Sequence, residues 1–147
     1  MAGRLGQMLV GANLILEEQL KRALATQQKD GGRLGSNLVK LGFIDEDKLI
    51  SFLSKQYGIP AVNLQELEID TSVCKLIPGD VVQKYQIMPI NRTGATITIA
   101  MVDPSNVFAL DDVKFMTGYN VEPVVASEAA IKASINKYYD TAEALHD

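Results

Sequence analysis

The sequence predicts an α+β protein in which a helical N-terminal part precedes a smaller part of mixed α/β structure. A unit beginning with Arg-Leu-Gly at residues 4–27 returns at residues 33–56, with apolar residues at helical spacing in both copies. Beyond the second copy the pattern changes to short runs of alternating apolar and polar residues, which is typical of strands. We therefore expect a helical tandem-repeat subdomain at 1–58, an α/β subdomain at 61–140 and a tail at 141–147.

The duplication is close at the level of single residues. Ten positions of the first copy are identical in the second, 29 residues later: Arg4/Arg33, Leu5/Leu34, Gly6/Gly35, Leu9/Leu38, Val10/Val39, Ile15/Ile44, Glu17/Glu46, Leu20/Leu49, Leu24/Leu53 and Gln27/Gln56. Two copies are too few for a solenoid, which buries a continuous core only with several repeats. The simpler interpretation is a pseudo-twofold pair, which suits a partner that is itself twofold.

Each copy predicts two helices, so we expect four, at about 4–11, 16–28, 33–41 and 45–57. The second helix of each copy carries one stripe of residues at i, i+3, i+4 and i+7: Leu20, Ala23, Leu24 and Gln27, then Leu49, Phe52, Leu53 and Gln56. A buried amide costs free energy unless its donors and acceptor are bonded. Because each stripe ends in a glutamine, we expect each glutamine to have a polar partner. The alternative is that the amide meets water at a fraying helix end.

Two positions differ between the copies at the turns. Asn13 stands where the second copy has Gly42, and both residue types tolerate a left-handed backbone. Leu16 stands where Asp45 can cap the second helix of its copy.

The second half begins after Tyr57-Gly58-Ile59-Pro60, which ends the last repeat helix. There we expect about three strands and two to three helices. The predicted elements are strands at 87–90 and 96–102 joined through 91–94, a helix from Pro104 to about Thr117, a strand at 121–125, and a helix after Ser127 with an apolar stripe of Ile131, Ile135, Tyr138 and Tyr139.

Arg4 and Arg33 each precede Leu-Gly at a predicted helix start. A cation there is electrostatically unfavourable unless an anion is near. Helix N-termini present free N–H groups to phosphate, and guanidinium groups pair with phosphate and stack on bases. Gly6 and Gly35 would allow a ligand to approach the backbone closely or, equally, would allow tight helix packing. The repeated arginine therefore indicates an anionic ligand.

Composition narrows the class of protein. The chain has 147 residues, is 47% hydrophobic and has a net charge of −4, which supports a real core and argues against binding to duplex DNA or RNA. Cys74 is the only cysteine and His146 the only histidine, so we expect no internal disulfide and no metal site. The charged N-terminal region lacks a signal peptide and no apolar run could span a membrane, which predicts a cytoplasmic location.

The repeat resembles a known family. The order Arg-Leu-Gly, two pairs of aliphatic residues, then Leu, Leu and Gln at fixed spacing, repeated after five residues, is similar to the MshEN domain. That family forms N-terminal modules of type IV pilus extension and type II secretion ATPases and binds cyclic di-GMP. The resemblance is close over residues 4–56 and looser in the α/β part.

The resemblance implies a set of ligand contacts, in which leucines cover the purine rings and arginine and glutamine reach polar edges. One half of the dinucleotide would be held by Arg4, Leu5, Gly6, Leu20, Leu24 and Gln27, and the other by Arg33, Leu34, Gly35, Leu49, Leu53 and Gln56. Asp103 would accept hydrogen bonds from a guanine edge if the α/β part closes over the repeats, the alternative being an ordinary Asp-Pro turn. Gln7 and Ser36 stand where relatives often have an acidic residue, which removes any carboxylate contact there.

Three classes of function follow. The first is a cyclic di-GMP-binding regulatory module of a motor ATPase. The second is a docking module that binds a membrane-platform protein without nucleotide. The third, an enzyme, has the least support, because the sequence contains no phosphate-binding G-x-x-x-x-G-K-[ST] loop and no histidine near a nucleophile. The ATPase core, with its ATP and Mg²⁺, is therefore expected outside this chain, and no cofactor is expected within it.

Overall fold

The computed structural model describes the backbone of residues 2–140 and the side chains of residues 5–139. The expected tail at 141–147, which contains His146, and the side chain of Arg4 lie outside the described residues. The chain forms two compact units, one ending at Leu49 and the other beginning at Ile50. This border lies inside the fourth helix, ahead of the change of sequence pattern at 57–60.

The first unit is helical. Its elements are α1 (Ala2–Gly11), α2 (Glu17–Asp30), α3 (Leu34–Lys40) and the start of α4 (Glu46–Tyr57). All four predicted repeat helices are present, each with ends within two residues of the expected ones. Helix α3 packs against α1 and α2. The apolar side chains buried in this unit are Leu9, Ile15, Leu20, Ala23, Leu34, Leu38, Ile44 and Leu49.

The second unit is mixed α/β, as predicted. Its elements after α4 are a 3-10 turn (Leu64–Glu66), α5 (Thr71–Cys74), α6 (Gly79–Tyr85), β1 (Ile87–Thr93), β2 (Thr96–Met101), α7 (Val107–Thr117), β3 (Asn120–Val125), α8 (Glu128–Ile135) and a π-helical turn (Asn136–Asp140). The sheet has the order β1-β2-β3. Strand β2 is antiparallel to β1 and parallel to β3, and α7 forms the crossover between the parallel pair.

Residues 60–62 cover the outer edge of β3. The Val62 N–H donates to Val125 O and the Val125 N–H to Pro60 O, each at 2.9 Å. An open strand edge can pair with another chain, and this segment satisfies part of it. The sheet core contains buried Ile97, Ile99 and Met101, at the alternate positions that the sequence predicted.

The predicted hairpin loop at 91–94 is wrong. Strand β1 continues to Thr93, which pairs with Thr96, so the turn consists of Gly94 and Ala95. The backbone of residues 91–93 pairs with β2, but their side chains are polar and exposed. The sequence therefore shows no apolar strand pattern there. Helices α5 and α6 were not predicted. Within residues 2–140, none of the helices combines the length and apolar content needed to span a bilayer.

Candidate ligand-binding site

The first helix of each repeat ends in the same turn. Its backbone hydrogen bonds are Leu14 N to Leu9 O and Asn13 N to Val10 O in the first copy, and Phe43 N to Leu38 O and Gly42 N to Val39 O in the second, all 3.0 Å. These are the bonds of a Schellman motif, which needs a residue with positive φ. Asn13 (φ 62°) and Gly42 (φ 79°) supply it. The prediction that Asn13 replaces a glycine at a left-handed position is confirmed.

The glycine of each Arg-Leu-Gly motif lies against a leucine of the following helix. A Cβ atom on Gly6 would overlap Leu20 Cδ1 and lie 3.1 Å from its Cδ2. A Cβ atom on Gly35 would lie 3.0 Å from Leu49 Cδ2. The contact therefore recurs at the spacing of the repeat. This confirms tight helix packing, which is one of the two roles considered for these glycines. Contact of either glycine with a ligand stays a prediction.

The two Arg-Leu-Gly motifs are neighbours within the first unit. A Cβ atom on Gly35 would also lie 3.8 Å from Leu5 Cδ2, and α1 packs against α3. Leu34 is buried, whereas Leu5 is half-buried. The fold thus brings together residues that the sequence assigned to different halves of one ligand.

The backbone differs at the two arginines. Arg33 immediately precedes α3 with extended angles (φ −85°, ψ 149°), and its side chain is half-buried. Arg4 is the third residue of α1, because that helix begins at Ala2. Both arginines therefore lie at a helix start, as expected, Arg33 immediately before α3 and Arg4 in the first turn of α1. The side chain of Arg4 lies outside the described residues.

The two leucine stripes differ in burial at single positions. Leu20 is 3% exposed and Leu24 is half-buried, whereas Leu49 and Leu53 are each 8% exposed. Leu49 closes the first unit, and Leu53 belongs to the second unit but shares the face of α4 by its i, i+4 spacing. Leu24 is therefore the most accessible of these four leucines. A half-buried leucine can cover a flat ring of a ligand.

Neither glutamine is buried, and of the two alternatives considered for them, Gln56 fits an amide that meets water at a helix end, whereas Gln27 has a polar partner. Gln27 is half-buried and donates from Nε2 to Gly32 O at 3.1 Å, whereas Gln56 is exposed. Both side chains lie near the C-terminal ends of their helices, where the stripe leaves the core. Gln27 therefore has a partner in the segment between the repeats, and Gln56 is accessible to solvent.

Asn37 is a polar residue that sequence reasoning missed. It is 4% exposed, and its Nδ2 donates to Gly31 O at 3.1 Å and to Arg33 O at 2.9 Å. The signal for it was available, because the first copy has Met8 at the equivalent position and an isolated polar substitution on an apolar helix face needs a partner.

Asp103 forms the turn between β2 and α7. Its Oδ1 accepts from the Ser105 N–H at 3.0 Å and from the Ser105 hydroxyl at 2.5 Å. The side chain is half-buried. The turn role considered in the sequence analysis is thus confirmed, and a role in ligand binding stays a prediction.

Ionisable groups in the second unit have displaced pKa values with structural causes. Burial raises the pKa of Tyr139 and of the Cys74 thiol, and the hydrogen bond from Ser72 lowers the pKa of Asp70. Within residues 2–140 there is no group of three or more His, Cys, Asp or Glu side chains arranged to hold a metal ion.

Comparison with known proteins identifies relatives over nearly the whole chain. The chain is 52% identical over 139 residues to the type IV pilus assembly ATPase PilB of Myxococcus xanthus, a match that covers 95% of this chain and 25% of that protein. It is 35% identical over 138 residues to PilB of Thermus thermophilus, covering 92% of this chain and 16% of that protein. The chain therefore spans a quarter or less of the length of these curated relatives.

Solved structures share the fold. One described as MshE with cdg is 34% identical, with a TM-score of 0.73, and the match covers 92% of this chain and 98% of that chain. The N-terminal domain of XpsE is 20% identical with a TM-score of 0.71, covering 93% of this chain and 94% of that one, which shows similarity of fold alone.

A family model described as the MshEN domain matches residues 57–145. The match covers the part in which the sequence resemblance was looser, whereas the full-length relatives and the structure described as MshE extend it over the repeats. The chain therefore belongs to the MshEN domain family.

Proposed function

We propose that this chain is a cyclic di-GMP-binding regulatory module of a pilus-assembly or secretion motor ATPase, whose ATPase core lies outside the chain. Membership of the MshEN family and similarity to PilB ATPases support the motor context. Similarity to a structure described as MshE with cdg, an abbreviation of cyclic di-GMP, supports the ligand. The module would act in the cytoplasm, with the rest of the motor as its first partner.

The observation that carries the proposal is the approach of the two Arg-Leu-Gly motifs within the first unit. Leu5 of one copy lies beside Gly35 of the other. A single ligand that uses both copies needs its two half-sites adjacent, and cyclic di-GMP is itself twofold. The recurring glycine–leucine contact and the recurring turn further support two half-sites of one design.

The proposed contacts follow from the chemistry of the side chains. The Arg33 guanidinium can pair with a phosphate or stack on guanine, and the half-buried Leu24 can cover a purine ring. Gln56 is exposed and ready to bond to a guanine edge. Gln27 donates to Gly32 O, so a ligand that takes this donor must replace that bond.

Isothermal titration with cyclic di-GMP tests the proposal. We expect one ligand per chain, and about ten- to hundredfold weaker binding for Gln27→Ala and for Gln56→Ala, because each change leaves polar ligand atoms unpaired. The exposed neighbour Gln28 provides the matched control, and Gln28→Ala should bind like the unaltered chain. Absence of binding would refute the receptor function. Loss of binding in one glutamine variant with no effect in the other would refute the paired half-sites.

A second candidate function is protein docking. The outward face of α7 exposes Phe108 by 73% and Phe115 by 92%, and these residues share a helix face because they are seven apart. Exposed aromatic patches often mark contact surfaces. If the chain docks on the cytoplasmic domain of an inner-membrane platform protein through this face, Phe115→Ser should abolish their co-elution, and unchanged co-elution would exclude α7 as the surface.

The proposal assigns regulation and not catalysis to this chain. The sequence has no phosphate-binding loop that could hold the triphosphate and Mg²⁺ of ATP. We therefore expect the purified chain to hydrolyse neither ATP, GTP nor cyclic di-GMP above the buffer background. Phosphate release in a coupled assay, or loss of cyclic di-GMP followed by chromatography, would contradict this assignment.

A further inference from the structure

Asn37 marks a difference between the two repeats. The first copy has the half-buried Met8 at this position, whereas Asn37 is 4% exposed. A buried amide is tolerated only when it is hydrogen-bonded, and Asn37 uses its Nδ2 donors for two backbone carbonyl groups. Gly31 lies in the segment that joins the repeats, and Arg33 is the first residue of the second copy.

The carbonyl oxygen of Arg33 receives two hydrogen bonds from Asn37. The Asn37 backbone N–H donates at 3.0 Å, as the first bond of α3, and Nδ2 donates at 2.9 Å. A backbone bond of this kind recurs in any helix, but the side-chain bond is an addition that requires a donor at position 37. It fixes the peptide group of the residue whose guanidinium is proposed to contact the ligand.

The preceding residues need such a restraint. Gly31 (φ 79°) and Gly32 (φ 85°) both have positive φ, and consecutive glycines have the largest backbone freedom to lose. Nδ2 of Asn37 bonds to Gly31 O, and Gln27 Nε2 bonds to Gly32 O. If a ligand takes the Gln27 donor, the two bonds from Asn37 persist beside the backbone bond from the Gly31 N–H to Gln27 O at 2.8 Å, and the bond to Arg33 O is the one that reaches Arg33 itself.

Arg4 has no comparable requirement. It lies inside α1, where the helical backbone on both sides fixes its position, whereas Arg33 follows a glycine pair and precedes its helix. This difference explains why a donor is present at position 37 and a methionine suffices at position 8.

We propose that Asn37 is a positioning residue that holds Arg33 in the orientation needed for cyclic di-GMP. This inference rests on the proposed function, because it assigns to Asn37 an effect on the affinity of that site. Asn37 acts through Arg33 and does not touch the ligand.

A double-mutant cycle measured by titration with cyclic di-GMP tests this role. We expect Asn37→Met, which installs the residue of the first copy, to weaken binding about tenfold, and Arg33→Ala to weaken it by at least as much. The variant with both changes should bind like Arg33→Ala alone, because Asn37 has nothing left to position. Met8→Leu is the matched control and should bind within about twofold of the unaltered chain.

The outcomes separate this inference from the proposed function. Binding by the unaltered chain, together with unchanged affinity of Asn37→Met or additive losses in the double variant, would overturn the role of Asn37 alone. No binding by the unaltered chain would overturn the proposed function and this role with it. Thermal unfolding establishes that each variant is folded, and Asn37→Ser, which retains one donor, replaces Asn37→Met in the cycle if the latter does not fold.

Discussion

Leu16 and Asp45 occupy the same position of the two repeats, immediately before the second helix of each copy. Leu16 has extended backbone angles (φ −93°, ψ 156°) and is 65% exposed. Gln19 Oε1 accepts from the Leu16 N–H at 2.8 Å, which is one of the two bonds of a capping box. The other bond requires a side-chain oxygen on the capping residue, and leucine has none.

Replacing Leu16 with aspartate should therefore stabilise the protein. The new carboxylate can accept from a free N–H of the first turn of α2, which contributes about 0.5–2 kcal/mol to the free energy of unfolding. Glu17 and Glu18 are negatively charged neighbours that would repel a new aspartate. Leu16→Ser supplies a capping oxygen without a charge, so it measures the hydrogen bond alone. Urea unfolding gives the measurement. A lower stability of both variants would mean that the Leu16 side chain contributes packing that outweighs a cap.

Gly6 and Gly35 both lie at contacts between helices, but the space available for a Cβ atom is smaller at Gly6. Alanine in a helix interior gains about 0.5–1 kcal/mol over glycine, whereas overpacking costs about 1–3 kcal/mol. At Gly6 a Cβ atom overlaps Leu20, so the cost exceeds the gain and Gly6→Ala should be destabilising. At Gly35 the nearest atom of Leu49 is 3.0 Å away, which a small shift relieves, and the two effects should nearly cancel.

Gly11→Ala is the control for this comparison, because a Cβ atom there has no neighbour within 4 Å and only the helix gain remains. Thermal unfolding should rank the variants Gly11→Ala, Gly35→Ala and Gly6→Ala in order of decreasing stability. Equal stability of Gly6→Ala and Gly11→Ala would contradict the close contact of α1 with Leu20.

The π-helical turn after α8 is tied to α5 through Tyr139. Its hydroxyl shares its one proton between the carbonyl oxygens of Cys74 and Ile77, at 2.9 Å and 3.2 Å. Tyr139→Phe should lower the free energy of unfolding by about 1–2 kcal/mol, because two buried carbonyl groups lose a donor. The change is close to isosteric, so the loss reports the hydrogen bonds and not a cavity.

The effect of Tyr139 should also depend on pH. Burial raises the pKa of Tyr139 above its ordinary value of 10.0, so the folded state keeps a proton that the unfolded chain loses. The contribution of Tyr139 is therefore complete below pH 10 and declines as the pH rises beyond it. The stability difference between the unaltered chain and Tyr139→Phe should be constant up to about pH 10 and should shrink as the pH rises further. A constant difference would indicate that the phenol ionises equally in both states.

These elements also show what the sequence could predict. The repeat helices carry several turns of periodic apolar residues, and β2 alternates cleanly, so both were found. Helices α5 and α6 have only four and seven residues, too few for a periodic pattern to emerge. The recurrence of Gln27 and Gln56 predicted equivalent environments, but burial is set by tertiary packing, and the structure leaves Gln56 exposed. Asn37 bonds to groups of the backbone, which no side-chain pattern reveals.

At the scale of the whole molecule, duplication places the two Arg-Leu-Gly motifs beside each other within the first unit. The turns and the glycine–leucine contacts recur with the 29-residue spacing of the sequence, within the first unit. Asn37 and Arg33, by contrast, have counterparts in Met8 and Arg4 whose settings differ. The pair is therefore symmetric in its framework and asymmetric at its polar positions, which suits a symmetric ligand without requiring equal contributions from the two halves.

This arrangement predicts a large advantage for a covalently joined ligand. Once one guanylate half of cyclic di-GMP is bound, the other half is held near its own site at an effective concentration in the millimolar range. We therefore expect cyclic di-GMP to bind at least a hundredfold more tightly than GMP at equal guanine concentration, because an avidity gain of roughly 10²–10⁴ follows from linkage alone. Competition titration with GMP measures the ratio. Comparable affinities for the two ligands would show that one half-site accounts for the binding, and the duplicated framework would then serve folding or docking and not recognition of a twofold ligand.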